Sequence, residues 1–247
     1  MRAIILAAGR GSRMGGATDQ QPKCLTKLGG KSLLAWEIEA LRDAGIDSVA
    51  VVRGYMSDQL VIADIETFEN PRWAETNMVA SLACASAWLS SDVCIVSYSD
   101  IVYPSSPIKA LTSTKCDIAV TYYVNWRNLW EERFTNPLAD AETFRIDTSG
   151  RLLEIGQRAN SLDEIQGQYM GLLRFTPSGW NNVESLLQRI DPTERDRLDM
   201  TSLLQLLISN GTAVGAIPIS APWYEVDSQA DLQLYERRAA ANGGLLW

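Results

Sequence analysis

The chain has 247 residues, of which 46% are apolar and 21% are charged, and its formal net charge is −8. This is the composition of a globular protein, and the length allows one domain with a sizeable core. The acidic balance argues against a nucleic-acid-binding protein, which usually presents a basic face. No apolar run approaches the roughly 18 residues of a membrane span, so we expect no membrane insertion.

The chain contains no histidine. This absence excludes Ser-His-Asp and Cys-His catalysis, histidine-ligated zinc and a histidine general base. The cysteines form no C-x-x-C pair, which favours small buried side chains in a reducing cytosol. The short apolar N-terminus runs into a glycine-rich segment, which favours a strand over an export signal. We therefore predict a cytoplasmic protein whose chemistry uses carboxylates, Lys or Arg, hydroxyls, backbone amides or a hard metal ion.

The first hundred residues alternate between apolar runs and amphipathic segments. We predict strands at 3–8, 49–52 and 93–98, one helix that begins after Ser32 and a second that runs from 76 or 77 to 88. This β-α-β-α-β order predicts a parallel sheet covered by helices.

The second half is less regular. We predict strands at 117–124, 169–175, 213–219 and 223–226, a hairpin over 144–155, and helices at 180–190, 200–208 and 231–241. The segment 125–142 is predicted to be a mobile or substrate-facing loop within a lid or acceptor-binding insertion at about 125–168. Residues 1–247 then form one α/β domain whose second half adds antiparallel strands to the sheet. The apolar end at 243–247 either frays or docks on a neighbour.

A glycine-rich segment follows the first predicted strand. The dinucleotide-binding pattern G-x-G-x-x-G fails because Met14 occupies the third glycine position. A Walker A loop ending at Ser32 fails because Leu25 stands where that motif needs glycine. The segment nevertheless lies at the carboxyl end of a strand, where open α/β sheets bind ligands.

Glycines allow backbone N–H groups to approach phosphate oxygens. Arg13 and Lys23 add two positive charges near this loop, which suit a triphosphate. The alternative is a plain turn with solvated basic residues.

Three short motifs resemble the signature of nucleotidyltransferases, which join an NTP to a phosphorylated acceptor and release pyrophosphate. They are L-A-A-G-x-G-S-R from Leu6, Q-P-K-C-L from Gln21 and L-G-G-K-S-L-L from Leu28. The resemblance implies a Rossmann-like three-layer α/β/α sandwich with a mixed, mostly parallel sheet. It also implies that Arg13 and Lys23 neutralise the phosphates. The residues of the loop that it places against the nucleotide are Leu6, Ala8, Gly9, Gly11 and Ser12.

Two aspartates follow predicted strands, Asp100 and Asp227. Transfer at a phosphate needs charge neutralisation and alignment more than acid–base chemistry, and Mg²⁺ held by carboxylates supplies both. An aspartate at such a position is often only a helix N-cap. Nucleotidyltransferases carry one metal aspartate after the third strand and another in a late strand-to-helix turn. The resemblance therefore implies Lys23, Arg13, Asp100 and Asp227 as catalytic residues, with Mg²⁺ on the two aspartates.

Three further segments resemble phosphocholine and phosphonate cytidylyltransferases: 76–82, 97–101 and 224–228. This resemblance implies CTP as the donor, with Asn77 and Ser81 near the nucleotide; helix caps are the alternative for both residues. Arg158 lies near the position where sugar-phosphate members carry a lysine that contacts the acceptor phosphate. A solvated loop arginine is the alternative.

The acceptor side leaves two questions open. Aromatic residues form either a wall for a quaternary ammonium group or core packing: Trp126, Trp130, Tyr122, Tyr123 and Trp223. Acidic residues form either a site for a cationic amine or a solvated face: Glu131, Glu132, Asp140 and Glu142. We take Arg158 and Trp223 as the candidate acceptor contacts.

The sequence thus predicts a Mg²⁺-dependent cytidylyltransferase that uses CTP and a small acceptor. Phosphocholine, 2-aminoethylphosphonate and a phosphorylated amino-acid amide are the acceptors that the resemblance implies. The alternatives are a sugar-1-phosphate nucleotidylyltransferase with another NTP and a catalytically silent nucleotide-binding subunit. One sequence does not decide whether the chain forms a homodimer.

Overall fold

A computed structural model describes residues 1–242, so the apolar end at 243–247 lies outside the described residues. The strands are β1 (Arg2–Ala7), β2 (Lys27–Leu28), β3 (Lys31–Ser32), β4 (Val49–Arg53), β5 (Glu66–Glu69), β6 (Cys94–Tyr98), β7 (Ile101–Val102), β8 (Ile118–Tyr123), β9 (Glu142–Ile146), β10 (Leu152–Arg158), β11 (Gln168–Phe175), β12 (Val214–Ile219) and β13 (Tyr224–Glu225). The α-helices are α1 (Leu33–Asp43), α2 (Met78–Ala83), α3 (Ser86–Leu89), α4 (Ser106–Ser113), α5 (Trp126–Arg133), α6 (Pro177–Leu187), α7 (Pro192–Arg197), α8 (Met200–Ser209) and α9 (Gln229–Ala241). Among these helices, none is long and apolar enough to cross a membrane.

The centre of the molecule is a seven-stranded sheet in the order β12-β8-β11-β6-β1-β4-β5. β1 pairs in parallel with β4 and β6, and β11 is the strand that pairs antiparallel with both of its neighbours. The prediction of a mixed, mostly parallel sheet is therefore confirmed. The carboxyl ends of β1, β4 and β6 meet at one edge, which is where this class of fold binds ligands.

Helices cover both faces of this sheet. Alternate residues of β1 enter two separate cores: Ile5 belongs to the core that includes residues of α1, α4, α5 and α9, whereas Ile4 belongs to the core that includes residues of α2, α6 and α8. Burial on both faces explains why β1 is a continuous apolar run and not an alternating one. The predicted three-layer α/β/α sandwich is confirmed.

Several elements differ from the predictions. The helix expected over 76–88 is divided into α2 and α3. The structure also contains β5, α4 and α7, which were not predicted, although Asp191, Pro192 and Glu194 are typical of a helix start. The segment 125–142, predicted as a loop, contains α5, whose Trp126 and Trp130 are buried one helical turn apart. Only β11 adds an antiparallel strand to the large sheet, because β9 and β10 pair with each other in a separate hairpin.

A small antiparallel pair, β7 with β13, connects two distant parts of the chain. Glu225 lies opposite Ile101, and the Val226 backbone N–H donates to the Asp100 carbonyl at 2.8 Å. This pairing brings the end of β6 and the turn before α9 together, although they are far apart in sequence. Asp100 and Asp227 reach the same point of the structure for this reason.

Candidate active site

Lys23 lies between the two aspartates that the sequence singles out. Its ammonium group donates to Asp100 Oδ2 at 2.7 Å and to Asp227 Oδ1 at 2.9 Å. The Lys23 side chain is only 9% exposed, so these are buried ion pairs. Arg13 contacts the second carboxylate oxygen of Asp227 from the solvent side, since 73% of the Arg13 side chain is exposed. The four predicted catalytic residues therefore form one cluster.

The protonation state of Lys23 follows from this geometry. Burial by itself lowers the pKa of an ammonium group, but the charges and hydrogen bonds of Asp100 and Asp227 outweigh it. The pKa of Lys23 is raised above its ordinary value as a result. Lys23 is therefore a fixed positive charge at neutral pH.

Gly11 holds the glycine loop against Lys23. It has a left-handed backbone conformation with φ of +68°, and a Cβ at this position would lie 2.6 Å from Lys23 Cδ and 2.8 Å from Lys23 Cβ. Both the conformation and the space require glycine. The predicted glycine loop thus places the lysine of the second motif.

Neither aspartate is a helix cap. The N-cap of α9 is Ser228, which forms a capping box with Asp231, and Asp100 lies in the turn between β6 and β7. The alternative considered for both aspartates is therefore excluded by the structure. Their carboxylates point toward Lys23 instead.

A cavity of about 310 Å³ opens beside this cluster at the carboxyl end of β1. All seven residues predicted to bind the nucleotide line it: Leu6, Ala8, Gly9, Gly11, Ser12, Asn77 and Ser81. Arg13, Lys23, Asp100 and Asp227 line it as well. Five other residues line it without having been singled out as site residues: Trp73, Thr76, Met78, Tyr98 and Ser99. All of them except Trp73 lie within the segments 76–82 and 97–101 that resemble cytidylyltransferases. We call this space the nucleotide cavity.

Two residues of the nucleotide cavity, Asn77 and Ser81, also form hydrogen bonds that stabilise the fold. Asn77 is the N-cap of α2, since its Oδ1 accepts from the Met78 N–H at 2.8 Å, and its Nδ2 donates to the Arg197 carbonyl. Ser81 is buried and accepts from Asn70 Nδ2 at 3.0 Å. The capping alternative is therefore correct for Asn77, whose position at the cavity wall is compatible with a second role.

A second cavity of about 230 Å³ adjoins the first. The two cavities share Arg13, Met78, Tyr98 and Asp227. Aromatic and apolar side chains form part of its wall: Trp130, Tyr169, Phe144, Ile155 and Met200. Polar side chains form the rest: Asp140, Glu142, Thr143, Gln168, Asp199, Thr201 and Glu225. We call it the acidic cavity.

Three carboxylates of the acidic cavity have no cationic partner within residues 1–242. Asp140 accepts from the Trp130 indole N–H at 3.0 Å, and Asp199 caps α8 by accepting from the Ser202 N–H at 2.8 Å. Glu142 has a raised pKa because it is desolvated and because Asp199 and Asp140 lie nearby. The other two carboxylates are neutralised, Glu225 by Arg133 and Asp227 by Lys23 and Arg13. These three carboxylates thus lack a paired cation, because Arg13, which also lines the acidic cavity, contacts Asp227 instead.

The two candidate acceptor contacts lie elsewhere. Trp223 is only 1% exposed and is stacked on Trp130 with ring centroids 6.0 Å apart, so it belongs to the core. Arg158 is exposed at the end of β10, where it pairs in register with Glu142. Neither side chain lines the nucleotide cavity or the acidic cavity. The number of residues between Arg158 and β11 does not predict where Arg158 lies. Arg158 is in β10, which pairs with β9 in a separate hairpin and not with the main sheet.

Among the other aromatic and acidic candidates on the acceptor side, some line a cavity and others do not. Trp126 and Tyr122 are buried in the core, whereas Trp130 reaches the acidic cavity. Glu131 pairs with Arg127, and Glu132 pairs with Arg238. Asp140 and Glu142 are the acidic candidates that reach a cavity.

The donor set at Asp100 and Asp227 fits Mg²⁺. Asp100 Oδ1 is buried and has no hydrogen-bond partner, which is costly for a carboxylate oxygen unless a cation completes its surroundings. No group of three or more Cys, Asp or Glu residues that could hold a metal occurs in the part of the chain that the structure describes. Mg²⁺ sites of phosphate-transferring enzymes typically use one or two carboxylates and substrate phosphates, so two aspartates suffice.

Comparisons with known proteins identify the family of the chain. The profile of the MobA-like NTP transferase domain matches residues 3–162. The chain belongs to this family. The prediction of a nucleotidyltransferase is therefore confirmed.

Individual relatives extend the comparison beyond the profile. A CTP:phosphoglutamine cytidylyltransferase of Campylobacter jejuni is 38% identical over 250 residues, which cover 95% of this chain and 98% of that protein. A CMP-5'-(3-aminopropyl)phosphonate synthase of Streptomyces rubellomurinus is 26% identical, with 94% of this chain and 37% of that protein covered. The solved inositol-1-phosphate CTP transferase from T. maritima superposes with a TM-score of 0.75 at 21% identity, covering 99% of this chain and 97% of that chain. This last similarity shows the fold.

Proposed function

We propose that the chain transfers the cytidylyl group of CTP to a small acceptor that carries both a phosphate or phosphonate group and a cationic ammonium group. Pyrophosphate is released. The observation that carries this proposal is the junction of two cavities of different charge at Arg13 and Asp227. Full-length similarity to a CTP:phosphoglutamine cytidylyltransferase supports CTP as the donor.

The nucleotide cavity suits a triphosphate. Lys23 and Arg13 supply two positive charges, and the backbone of the glycine loop lies on the same wall. Fixed cations of this kind stabilise the charge that develops on phosphate oxygens during transfer. We propose that an acceptor oxygen attacks the α-phosphorus of CTP, that the bond from the α-phosphorus to the oxygen bridging to the β-phosphorus breaks, and that pyrophosphate leaves with that electron pair.

Asp100 and Asp227 are the residues proposed to hold Mg²⁺, which would neutralise phosphate charge and orient the triphosphate. Lys23 stays protonated beside them and is close enough to exchange carboxylate contacts for phosphate contacts. No histidine or other general base is needed, because a phosphate or phosphonate oxygen is already an anion at neutral pH.

The acidic cavity supports an acceptor with an ammonium group. Asp140, Glu142 and Asp199 would repel a purely anionic acceptor, whereas an ammonium group would supply the positive charge that they lack. Arg13 lies at the junction and can contact the acceptor phosphate at the other end. This charge pattern favours an aminophosphonate or a phosphorylated amino-acid amide over a sugar 1-phosphate, which carries the anionic phosphate but no cationic group. The 125–168 insertion contributes Asp140, Glu142 and Gln168 to this wall, which supports its predicted role in acceptor binding.

We place the reaction in the cytoplasm. All four cysteines are free, which suits a reducing compartment.

Pyrophosphate release tests the proposal directly. The full chain would be incubated with Mg²⁺, each of the common NTPs, and one acceptor at a time: phosphorylated glutamine, 2-aminoethylphosphonate, phosphocholine and glucose 1-phosphate. Ethylphosphonate is the matched control for 2-aminoethylphosphonate because it lacks only the amine. We expect turnover with CTP and an amine-bearing acceptor. Equal turnover with ethylphosphonate would refute the ammonium site, and turnover with glucose 1-phosphate and another NTP would refute the cytidylyltransferase.

A further inference from the structure

Arg133 is a charged side chain that the proposed reaction leaves without a role. It lies in the last turn of α5, and its side chain is only 1% exposed. A buried guanidinium group is costly unless it is paired and hydrogen-bonded. Its Nε donates to Asp231 Oδ1 at 2.8 Å, and its Nη1 donates to Glu225 Oε2 at 2.9 Å. The two carboxylates satisfy the charge.

These two carboxylates lie on either side of Asp227. Glu225 is in β13, two residues before Asp227, and Asp231 is in the first turn of α9, four residues after it. Arg133 of α5 therefore binds the residues on both sides of the turn that carries Asp227, namely Glu225 before it and Asp231 after it.

Asp231 passes this constraint directly to the turn. While its Oδ1 accepts from Arg133, its Oδ2 accepts from the Asp227 N–H at 3.2 Å and from the Ser228 N–H at 2.8 Å. The Ser228 hydroxyl also donates to Oδ2, at 2.7 Å. A rotation of the Asp231 carboxylate would break all of these contacts, so the guanidinium group fixes the direction in which this carboxylate points.

The contacts of Arg133 depend on the planar fork of the guanidinium group. Two different N–H groups of one planar guanidinium reach two carboxylates on separate elements, while its carbon lies 5.0 Å from the Trp130 ring centroid and 5.1 Å from that of Phe134. A lysine can bridge two carboxylates, as Lys23 does, but it has one nitrogen in place of the two separate nitrogens, Nε and Nη1, with which Arg133 reaches its partners.

We propose that Arg133 is a positioning residue that holds the 225–231 segment so that the Asp227 carboxylate faces Lys23 and the metal. This inference rests on the proposed role of Asp227 as a Mg²⁺ ligand. A residue that contacts neither substrate nor metal acts here through Asp231. Residues that orient metal ligands in this way typically change metal affinity or activity by about 10–100-fold when replaced.

Arg133→Lys is the primary test because it keeps the buried positive charge. Arg127→Lys is the matched control: Arg127 is in the same helix, is 60% exposed and pairs with Glu131. Mn²⁺ would serve as the probe, and its affinity in the presence of CTP without acceptor would be measured by electron paramagnetic resonance. Circular dichroism and thermal melting would establish that each variant is folded. Steady-state kinetics would give kcat and KM separately.

We expect folded Arg133→Lys to bind Mn²⁺ about 10–100-fold more weakly and to lose a similar factor in kcat, with the KM for CTP changed by less. Arg127→Lys should match the wild type. Asp231→Asn is the second variant, since an amide cannot accept from both Arg133 and the 227–228 backbone; we expect it to show the same loss even if Arg133→Lys does not fold. Wild-type Mn²⁺ affinity and kcat in a folded variant would overturn the positioning role. Absence of Mn²⁺ binding in the wild type would instead overturn the proposed metal site.

Discussion

Replacing Lys23 by methionine tests whether this ammonium group neutralises Asp100 and Asp227 before any ligand binds. The variant keeps an unbranched side chain but leaves two carboxylates without their shared cation. Removing one partner of a buried ion pair costs about 3–5 kcal/mol. Since 21% of the Asp100 side chain and 13% of the Asp227 side chain remain exposed, we take the lower value, about 3 kcal/mol. For a chain of this length, each kcal/mol lowers Tm by about 2–4 °C, so we expect a decrease of about 6–12 °C.

Mg²⁺ separates this explanation from a simple packing defect. In the variant the aspartate pair is open to a divalent cation, whereas in the wild type the ion competes with the Lys23 ammonium group. Saturation at 100 times Kd stabilises a protein by about 2.7 kcal/mol, which would restore most of the loss. The wild type should gain less.

Differential scanning calorimetry at constant ionic strength, with MgCl₂ replaced by NaCl in the reference, measures both effects. Lys109→Met is the control, because Lys109 is exposed on α4 and forms no ion pair within the described residues. The reasoning is refuted if Lys23→Met melts within about 2 °C of the wild type. It is equally refuted if Mg²⁺ raises the Tm of both proteins by the same amount.

Gly11→Ala should lower kcat by at least tenfold because the new Cβ displaces Lys23, whereas Gly15→Ala, with φ of +59° and no atom within 4 Å of its Cβ, should lower only Tm. Asp100→Asn should lower kcat by at least about 100-fold without unfolding the chain, since losing about 3 kcal/mol of charge stabilisation gives that factor; near-normal turnover would sink the metal assignment. Glu142→Gln should raise the KM for an amine-bearing acceptor about tenfold, or about 1.4 kcal/mol. Because the pKa of Glu142 is raised, the wild-type KM should rise as the pH falls toward that pKa, and this slope should be weaker in Glu142→Gln, as pH-dependent kinetics would show.

The first half of the fold was predictable because its signals are local. β1 is a continuous apolar run, and Ser32 caps α1 by accepting from the Ala35 N–H at 3.2 Å. The left-handed backbone at position 11 requires glycine. Each of these features depends on a few neighbouring residues. The same holds for the glycine loop and Lys23, which are only about ten residues apart.

The acidic cavity was not predictable from local patterns. Its wall combines Tyr98 of β6, Glu142 of β9, Tyr169 of β11 and Asp199 before α8, and only the tertiary fold brings them together. Asp199 also caps α8, so its sequence context indicates nothing beyond a helix start. Composition was misleading for 125–142, which was predicted to be a loop although it contains α5. Of the two tryptophans of α5, Trp126 packs in the core and Trp130 also reaches the acidic cavity.

The proposed function requires an acidic chain to bind two phosphate compounds. A net charge of −8 disfavours the approach of anions at long range, so the site must supply its positive charge locally. In the proposed mechanism Lys23 would supply it, since Asp100 and Asp227 neutralise its charge in the ligand-free state, and the same aspartates would hold Mg²⁺ once the lysine contacts the phosphates. The unpaired carboxylates of the acidic cavity then favour the acceptor that brings its own cation. On this proposal the acidic cavity selects the acceptor by its ammonium group, while Lys23 and Arg13 contact the phosphates.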